Sequence, residues 1–146
     1  MEELESFVVQ TKLKVQWGDM DAAQHVNNLS YLKWFETARV DYFLKLGQDV
    51  TINDGQPGFI LAKQDIKYLF PITYPDQVMI GVKIRELQVD RFNMECKIFS
   101  QKHQRLVAIA NGMIVTFDYQ NGKKANIPEE VRQKIIALEG MKRNHE

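Results

Sequence analysis

The sequence predicts an α+β domain in which a curved, five-stranded antiparallel sheet wraps one long central helix, with a short helix near the C-terminus. Three observations carry this reading. A first alternating segment is followed by one uninterrupted stretch of helical periodicity, four further strand-like segments come next, and Pro128-Glu129-Glu130 opens a final short helix. The concave face of such a sheet covers most of the circumference of a buried helix.

The first strand is read over 7–17, where Phe7, Val9, Leu13, Val15 and Trp17 face one way and Gln10, Lys12, Lys14 and Gln16 the other. After a polar stretch, residues 29–46 take up a helical period, with no Pro or Gly before Gly47. At about 100° per residue, Lys33, Thr37, Asp41 and Lys45 form a polar stripe opposite Leu29, Leu32, Phe35, Val40, Phe43 and Leu46. Most of this helix is therefore expected to be buried. Trp34 and Leu44 fall on the polar side, so that stripe should meet another surface as well as water. A loop rich in Asn, Asp, Gly and Pro runs from Asn53 to Gly58. Ile60, Ala62, Ile66, Tyr68 and Phe70 then alternate up to Pro71, followed by Val78, Ile80, Val82 and Ile84, and by Phe92, Met94, Cys96 and Ile98. The segment from Leu106 to Phe117 is apolar on both faces, which places it at the centre of the sheet. Asn121-Gly122 marks a turn before the last helix.

A chain of 146 residues fits a single domain, 1–146, able to bury a core without disulfides. Its 19 basic and 19 acidic residues cancel, which argues against generic nucleic-acid binding. The N-terminus Met-Glu-Glu-Leu-Glu is acidic with no apolar run behind it, so no signal peptide or membrane span is expected and the chain reads as cytoplasmic. Cys96 has no partner in the chain and is expected in the core. Open sheet edges and an apolar helix stripe predict self-association, as a homodimer or homotetramer.

The chemistry is concentrated in Trp17-Gly18-Asp19-Met20-Asp21-Ala22-Ala23-Gln24-His25-Val26-Asn27-Asn28, where two carboxylates, an imidazole and several amides stand between an apolar strand and an apolar helix. Together with Tyr31, Phe35-Glu36, Ala38-Arg39 and the stretch from Tyr68 to Asp76, this segment resembles the signature of acyl-CoA thioesterases of the 4-hydroxybenzoyl-CoA thioesterase type. The resemblance implies a hotdog fold, an acyl-CoA substrate and no cofactor. It assigns Asp21 as the catalytic carboxylate and Asn28 as the residue that opens the long helix and offers its backbone N–H to the thioester carbonyl. His25 matches the histidine of the His-Val-Asn-Asn variant. One departure is Ala23, where plant-type fatty-acyl enzymes carry Asn.

The chemistry of thioester hydrolysis agrees with these assignments, because a carboxylate must attack the carbonyl or activate water while donors hold the oxyanion. The helix end is expected to keep a buried Asp21 ionised. His25 would donate to substrate or orient Asp21. Asn27, Tyr31, Glu36, Tyr68 and Arg91 complete the candidate substrate-binding set. Structural competitors stand beside them: Asp19 as a turn residue, Asp21 as an Asx turn or cap, Asn27 as a helix cap, Glu36 in an ion pair with Arg39, solvated if the helix is rotated, Tyr31 and Tyr68 as core, and Lys63, Arg91 and Lys102 as solvated surface. Lys63, Arg91 and Lys102 are candidates for the CoA phosphates, Arg91 foremost, although Gln88-Val89-Asp90 stand where the resemblance calls for a denser basic cluster.

Metal chemistry is set aside: an EF-hand loop starting at Asp19 would need Gly at position 24 and Glu at position 30, where Gln24 and Ser30 stand. A phosphatase-type Asp-x-Asp nucleophile belongs in a longer α/β domain. The alternatives within the resemblance are a hydratase or dehydratase, and a non-catalytic acyl-thioester-binding protein.

Overall fold

The structure, a computed structural model, describes residues 2–48 and 57–141. The loop expected over Asn53 to Gly58 lies outside the described residues as far as position 56. The elements are β1 (Val9–Lys14), α1 (Asn28–Lys45), β2 (Gly58–Tyr68), β3 (Gln77–Arg85), β4 (Arg91–Ser100), β5 (Arg105–Asp118), β6 (Lys123–Lys124) and α2 (Glu129–Glu139). The curved sheet runs in the order β1-β3-β4-β5-β2, antiparallel throughout. Five strands were expected; the sixth, β6, is a two-residue addition that pairs with β5 after the Asn121-Gly122 turn.

Alternation places β3 and β4 as expected, because Val78, Ile80, Val82 and Ile84 face the same core as Phe92, Met94, Cys96 and Ile98, all fully buried. The doubly apolar β5 lies between β4 and β2, as a strand covered on both sides should. The first strand is shorter than expected. After Lys14 the chain leaves β3, Val15 N–H bonds to Asp76 O, and Trp17–Asp19 form a 3-10 turn closed by Gln16 N–H donating to Asp19 Oδ2 at 2.7 Å. Trp17 is thereby turned out, 73% exposed, instead of continuing the buried face.

α1 starts and stops on sequence signals: Asn27 Oδ1 accepts from Leu29 N–H, and Gly47 takes φ +76° just past Leu46. Its buried side is rotated from the expected arc. Tyr31, Trp34, Phe35, Ala38, Tyr42 and Phe43 are inside, whereas Leu29 and Leu44 are largely exposed and Leu32 and Val40 half-buried. Aromatic side chains bury roughly 150–250 Å² each, so five of them outweigh the leucines in setting the rotation. Trp34 therefore sits in the core of the protomer itself, against the Tyr31 ring at 5.1 Å. The polar stripe is not wholly solvated either, since Asp41 accepts from Thr11 Oγ1 of β1 at 2.7 Å.

At its far end α1 is tied to α2. Tyr42 Oη donates to Glu139 at 2.5 Å, and the same carboxylate oxygen accepts from Ile84 N–H at 3.0 Å. α2 begins after Pro128 with Glu129 and Glu130 in its first turn, as expected, and ends at Gly140 in the left-handed region. Cys96 is buried between these layers, and desolvation pushes its thiol up to about 12.

Candidate active site

The polar segment between β1 and α1 folds back on itself. Asn27 N–H bonds to Asp19 O at 2.8 Å, Met20 and Val26 form a bridge, and Asp21 N–H bonds to His25 O at 3.0 Å. The reversal at Gln24 requires φ +64°, and Gln24 N–H donates to Asp21 O. Val26 N–H to Ile72 O at 2.9 Å then pins the segment to the chain that follows β2.

The two aspartates of this segment are used differently. Asp19 supports the loop: its carboxylate accepts from Gln16 N–H and from Ser30 Oγ, which matches its reading as a turn residue. Asp21 is exposed, which corrects the expectation of a buried carboxylate. Its Oδ1 closes an Asx turn by accepting from Ala23 N–H at 2.9 Å, and among the described residues Oδ2 has no donor. The local turn and an outward-facing oxygen are thus both present at Asp21.

His25 is also exposed, and its Nδ1 lies 3.0 Å from Ala23 O. With the proton on Nδ1, Nε2 is left bare as an acceptor toward solvent. His25 steadies Asp21 through its main-chain oxygen and makes no side-chain hydrogen bond to it. Asn27 caps the helix, as its structural reading expected, and leaves the Asn28 N–H without an acceptor among the described residues. Asp21 N–H is bonded to His25 O, and His25 stands three residues before Asn28 in the sequence, so the reversal brings Asp21 back toward the start of α1.

Tyr68 and Tyr31 meet beside this helix end. Their rings are 5.1 Å apart edge to face, and Tyr68 Oη donates to Asn28 O at 3.2 Å. Tyr31 is buried, and desolvation together with Tyr68 pushes its hydroxyl up to about 12. Tyr68 is 42% exposed and forms an accessible aromatic wall.

Glu36 and Arg39 do not pair. Glu36 is exposed, because the helix is rotated from the expected arc, while Arg39 stacks 4.4 Å over Phe35 with its Nη1 buried and unpartnered among the described residues. Burial lowers the Arg39 pKa, with Glu36 opposing.

Arg91 lies away from the other candidates in the protomer. It pairs with Val115 on β5 while Tyr68 pairs with Ala108, a separation of seven residues or about 23 Å at ~3.3 Å per residue. Its guanidinium is already held by Asp90 at 2.9 and 3.1 Å. The turn before β4 is at one end of the sheet and the helix N-terminus at the other.

A cleft of about 430 Å³ opens where the folded segment meets the chain after β2, lined by Trp17, Met20, Asp21, Gln24, Thr73 and Tyr74. Of the sequence candidates only Asp21 lines it. Thr73 and Tyr74 were missed by sequence reasoning, since nothing in their local pattern shows that Val26 docks on Ile72 beside them. Trp17 had a usable signal, an aromatic directly before Gly18-Asp19, but it also continued the alternation of β1.

Residues 15–135 match the family model of the thioesterase-like superfamily. The chain is similar to the long-chain acyl-CoA thioesterase FadM of Escherichia coli (strain K12), 26% identical over 127 residues covering 87% of this chain and 96% of that protein. It is similar to the structure of a thioesterase from Thermus thermophilus complexed with coenzyme A and zinc, with 30% identity, 95% and 99% of the two chains covered, and a TM-score of 0.81. A gentisyl-coenzyme A thioesterase is 27% identical over 86% of this chain and 98% of its own, with a TM-score of 0.77. Among the described residues no three His, Cys, Asp or Glu side chains converge as ligands for a metal ion.

Proposed function

The chain belongs to the thioesterase-like superfamily, and from that membership we propose that it hydrolyses an acyl-CoA thioester to the free acid and coenzyme A beside the N-terminus of α1. The observation that carries this reading is the pairing of a carboxylate oxygen without a donor, on Asp21 at the cleft, with a helix whose first N–H, at Asn28, has no acceptor. The carbonyl of a thioester set between them is polarised by Asn28 N–H and by the positive end of α1. In one route Asp21 attacks the carbonyl carbon, the C–S bond breaks to release the coenzyme A thiolate, and water then cleaves the mixed anhydride to the free acid. In the other Asp21 takes a proton from the attacking water, the C–S bond of the tetrahedral intermediate breaks, and the proton passes to the departing thiolate. One oxyanion donor of this kind contributes about 3–4 kcal/mol to the transition state.

His25, exposed on the same folded loop, is free on its Nε2 side to hydrogen-bond substrate. Tyr68 and the Tyr31 ring beneath it form the wall for the acyl group. Asn27 acts by capping the helix, and Glu36 lies two turns along it on the exposed side. Arg91 has no part in this reading within one protomer.

The site is half-open: Trp17, Tyr68 and Leu29 are all exposed around it, and β2 is an eleven-residue edge strand with its outer side unpaired among the described residues. A second copy covering this side would close it, so a homo-oligomer belongs to the proposal. A cytoplasmic setting is part of the same reading, supported by the single, buried, unpaired cysteine.

The test is thiol release from a panel of aryl-, short-, medium- and long-chain acyl-CoAs. Turnover on at least one class is expected, and the preferred class identifies the acyl group. Binding of these thioesters without turnover of any would replace the hydrolase by a carrier.

A further inference from the structure

Within one protomer Arg91 stands at the other end of the sheet, and at the helix end the opposite hairpin offers cations for the anionic part of a thioester carrier. The turn joining β4 to β5 reads Gln101-Lys102-His103-Gln104, with Arg105 opening β5, and it lies at the same end as the helix N-terminus. Leu69 N–H bonds to Val107 O, and Gln101 N–H bonds to Gln77 O. A second cleft of about 560 Å³ opens here, lined by Lys14, Val15, Tyr74, Pro75, Asp76, Gln77, Gln101 and Lys102. Tyr74 walls both this cleft and the one holding Asp21, so the two are neighbours on either side of one residue.

Lys14 at the end of β1 and Lys102 in the β4–β5 turn both line this cleft, and among the described residues neither has a salt-bridge partner. Two unpaired cations facing one cleft attract a multivalent anion. The one acid in the lining, Asp76, is turned to structural use. Its Oδ1 accepts from Gln77 N–H at 2.6 Å and Lys102 N–H at 2.9 Å, and its Oδ2 from Ser100 Oγ at 2.5 Å. Asp76 thereby fixes the backbone that presents Lys102.

Resting on the thioesterase reading, we infer that the Lys14–Lys102 cleft receives the phosphate groups of a phosphopantetheinyl thioester while the pantetheine arm passes Tyr74 to bring the acyl carbonyl to Asp21. Acyl-CoA and an acyl carrier protein both present phosphopantetheine, and CoA adds nucleotide phosphates.

The test compares wild type with the Lys14→Gln/Lys102→Gln double variant on acyl-CoA and on the matching acyl-pantetheine, which lacks phosphate. The double variant should lose about tenfold in kcat/KM on acyl-CoA, through KM with kcat retained, since exposed charge contacts are worth up to ~1 kcal/mol each. Its kcat/KM on acyl-pantetheine should match wild type. Equal losses on both substrates, or no loss on acyl-CoA, would overturn the inference. An equal loss on acyl carrier protein supports it and places the pantetheine phosphate in the cleft; a loss confined to acyl-CoA supports it with the nucleotide phosphates there. If wild type hydrolyses neither substrate, the thioesterase reading falls on its own, and calorimetry of coenzyme A binding still decides the cleft. Weaker binding by the double variant supports it, and unchanged binding rejects it.

Discussion

Asp19 and Asp21 stand two residues apart and take opposite roles, because the loop turns one carboxylate onto Gln16 and Ser30 and leaves the other at a cleft. Asn27 links the loop to the helix, and its side chain satisfies one of the orphan N–H groups of α1. Replacing it by Ala should cost about 1 kcal/mol of stability, read as a lower urea midpoint with unchanged slope. An unchanged midpoint would mean that water replaces the cap without loss. The polar cluster before α1 and the Asn27 cap were legible in the sequence because a loop's polar residues just before an apolar helical run have few places to go, whereas Asp21 and Asn28 were singled out by the family resemblance. Within one protomer Arg91 stands away from the site, and the sequence could not show this for the converse reason. A basic residue beside a turn carries no mark of which sheet end the turn occupies, and only the strand register separates it from the site.

Among the elements, β3, β4 and β5 could be read directly, since a two-residue period with one buried face admits little else. Trp17 misled because an exposed aromatic continues an apolar alternation as well as a buried one does. β6 was missed since two residues carry no period. The rotation of α1 was set by its aromatic residues, among them Tyr31 and Tyr42, whose hydroxyls are sequestered. Burial pushes both pKa values up, and at Tyr42 the Glu139 carboxylate adds to the effect. These groups keep their protons in the native state where the unfolded chain releases them, above about pH 10. The stability tied to them is therefore fully present below pH ~10 and is lost as pH rises through the native values, about 12 for Tyr31. Equilibrium unfolding at pH 8, 10 and 11 should show a falling midpoint, and Tyr42→Phe should flatten that fall. A midpoint independent of pH in both proteins would contradict the tight seating of Tyr42 on Glu139.

For the whole molecule, β2 forms one edge of the sheet and the rim of the site carries exposed aromatic and aliphatic groups. Sedimentation at micromolar concentration should therefore give at least twice the mass of the chain, 17.0 kDa. A monomer under assay conditions would leave the site as open as the single chain shows it. The order of strand, helix, four strands and helix was legible from periodicity alone, but which side of the helix stays uncovered depended on the aromatic packing. The central claim, that the Asp21 carboxylate beside the amide end of α1 performs the hydrolysis, is tested most directly by kcat of Asp21→Asn on the best acyl-CoA substrate. Loss of a positioned base or nucleophile should lower kcat by about 10²-fold or more with the urea midpoint unchanged. A variant that turns over as fast as wild type would contradict the account.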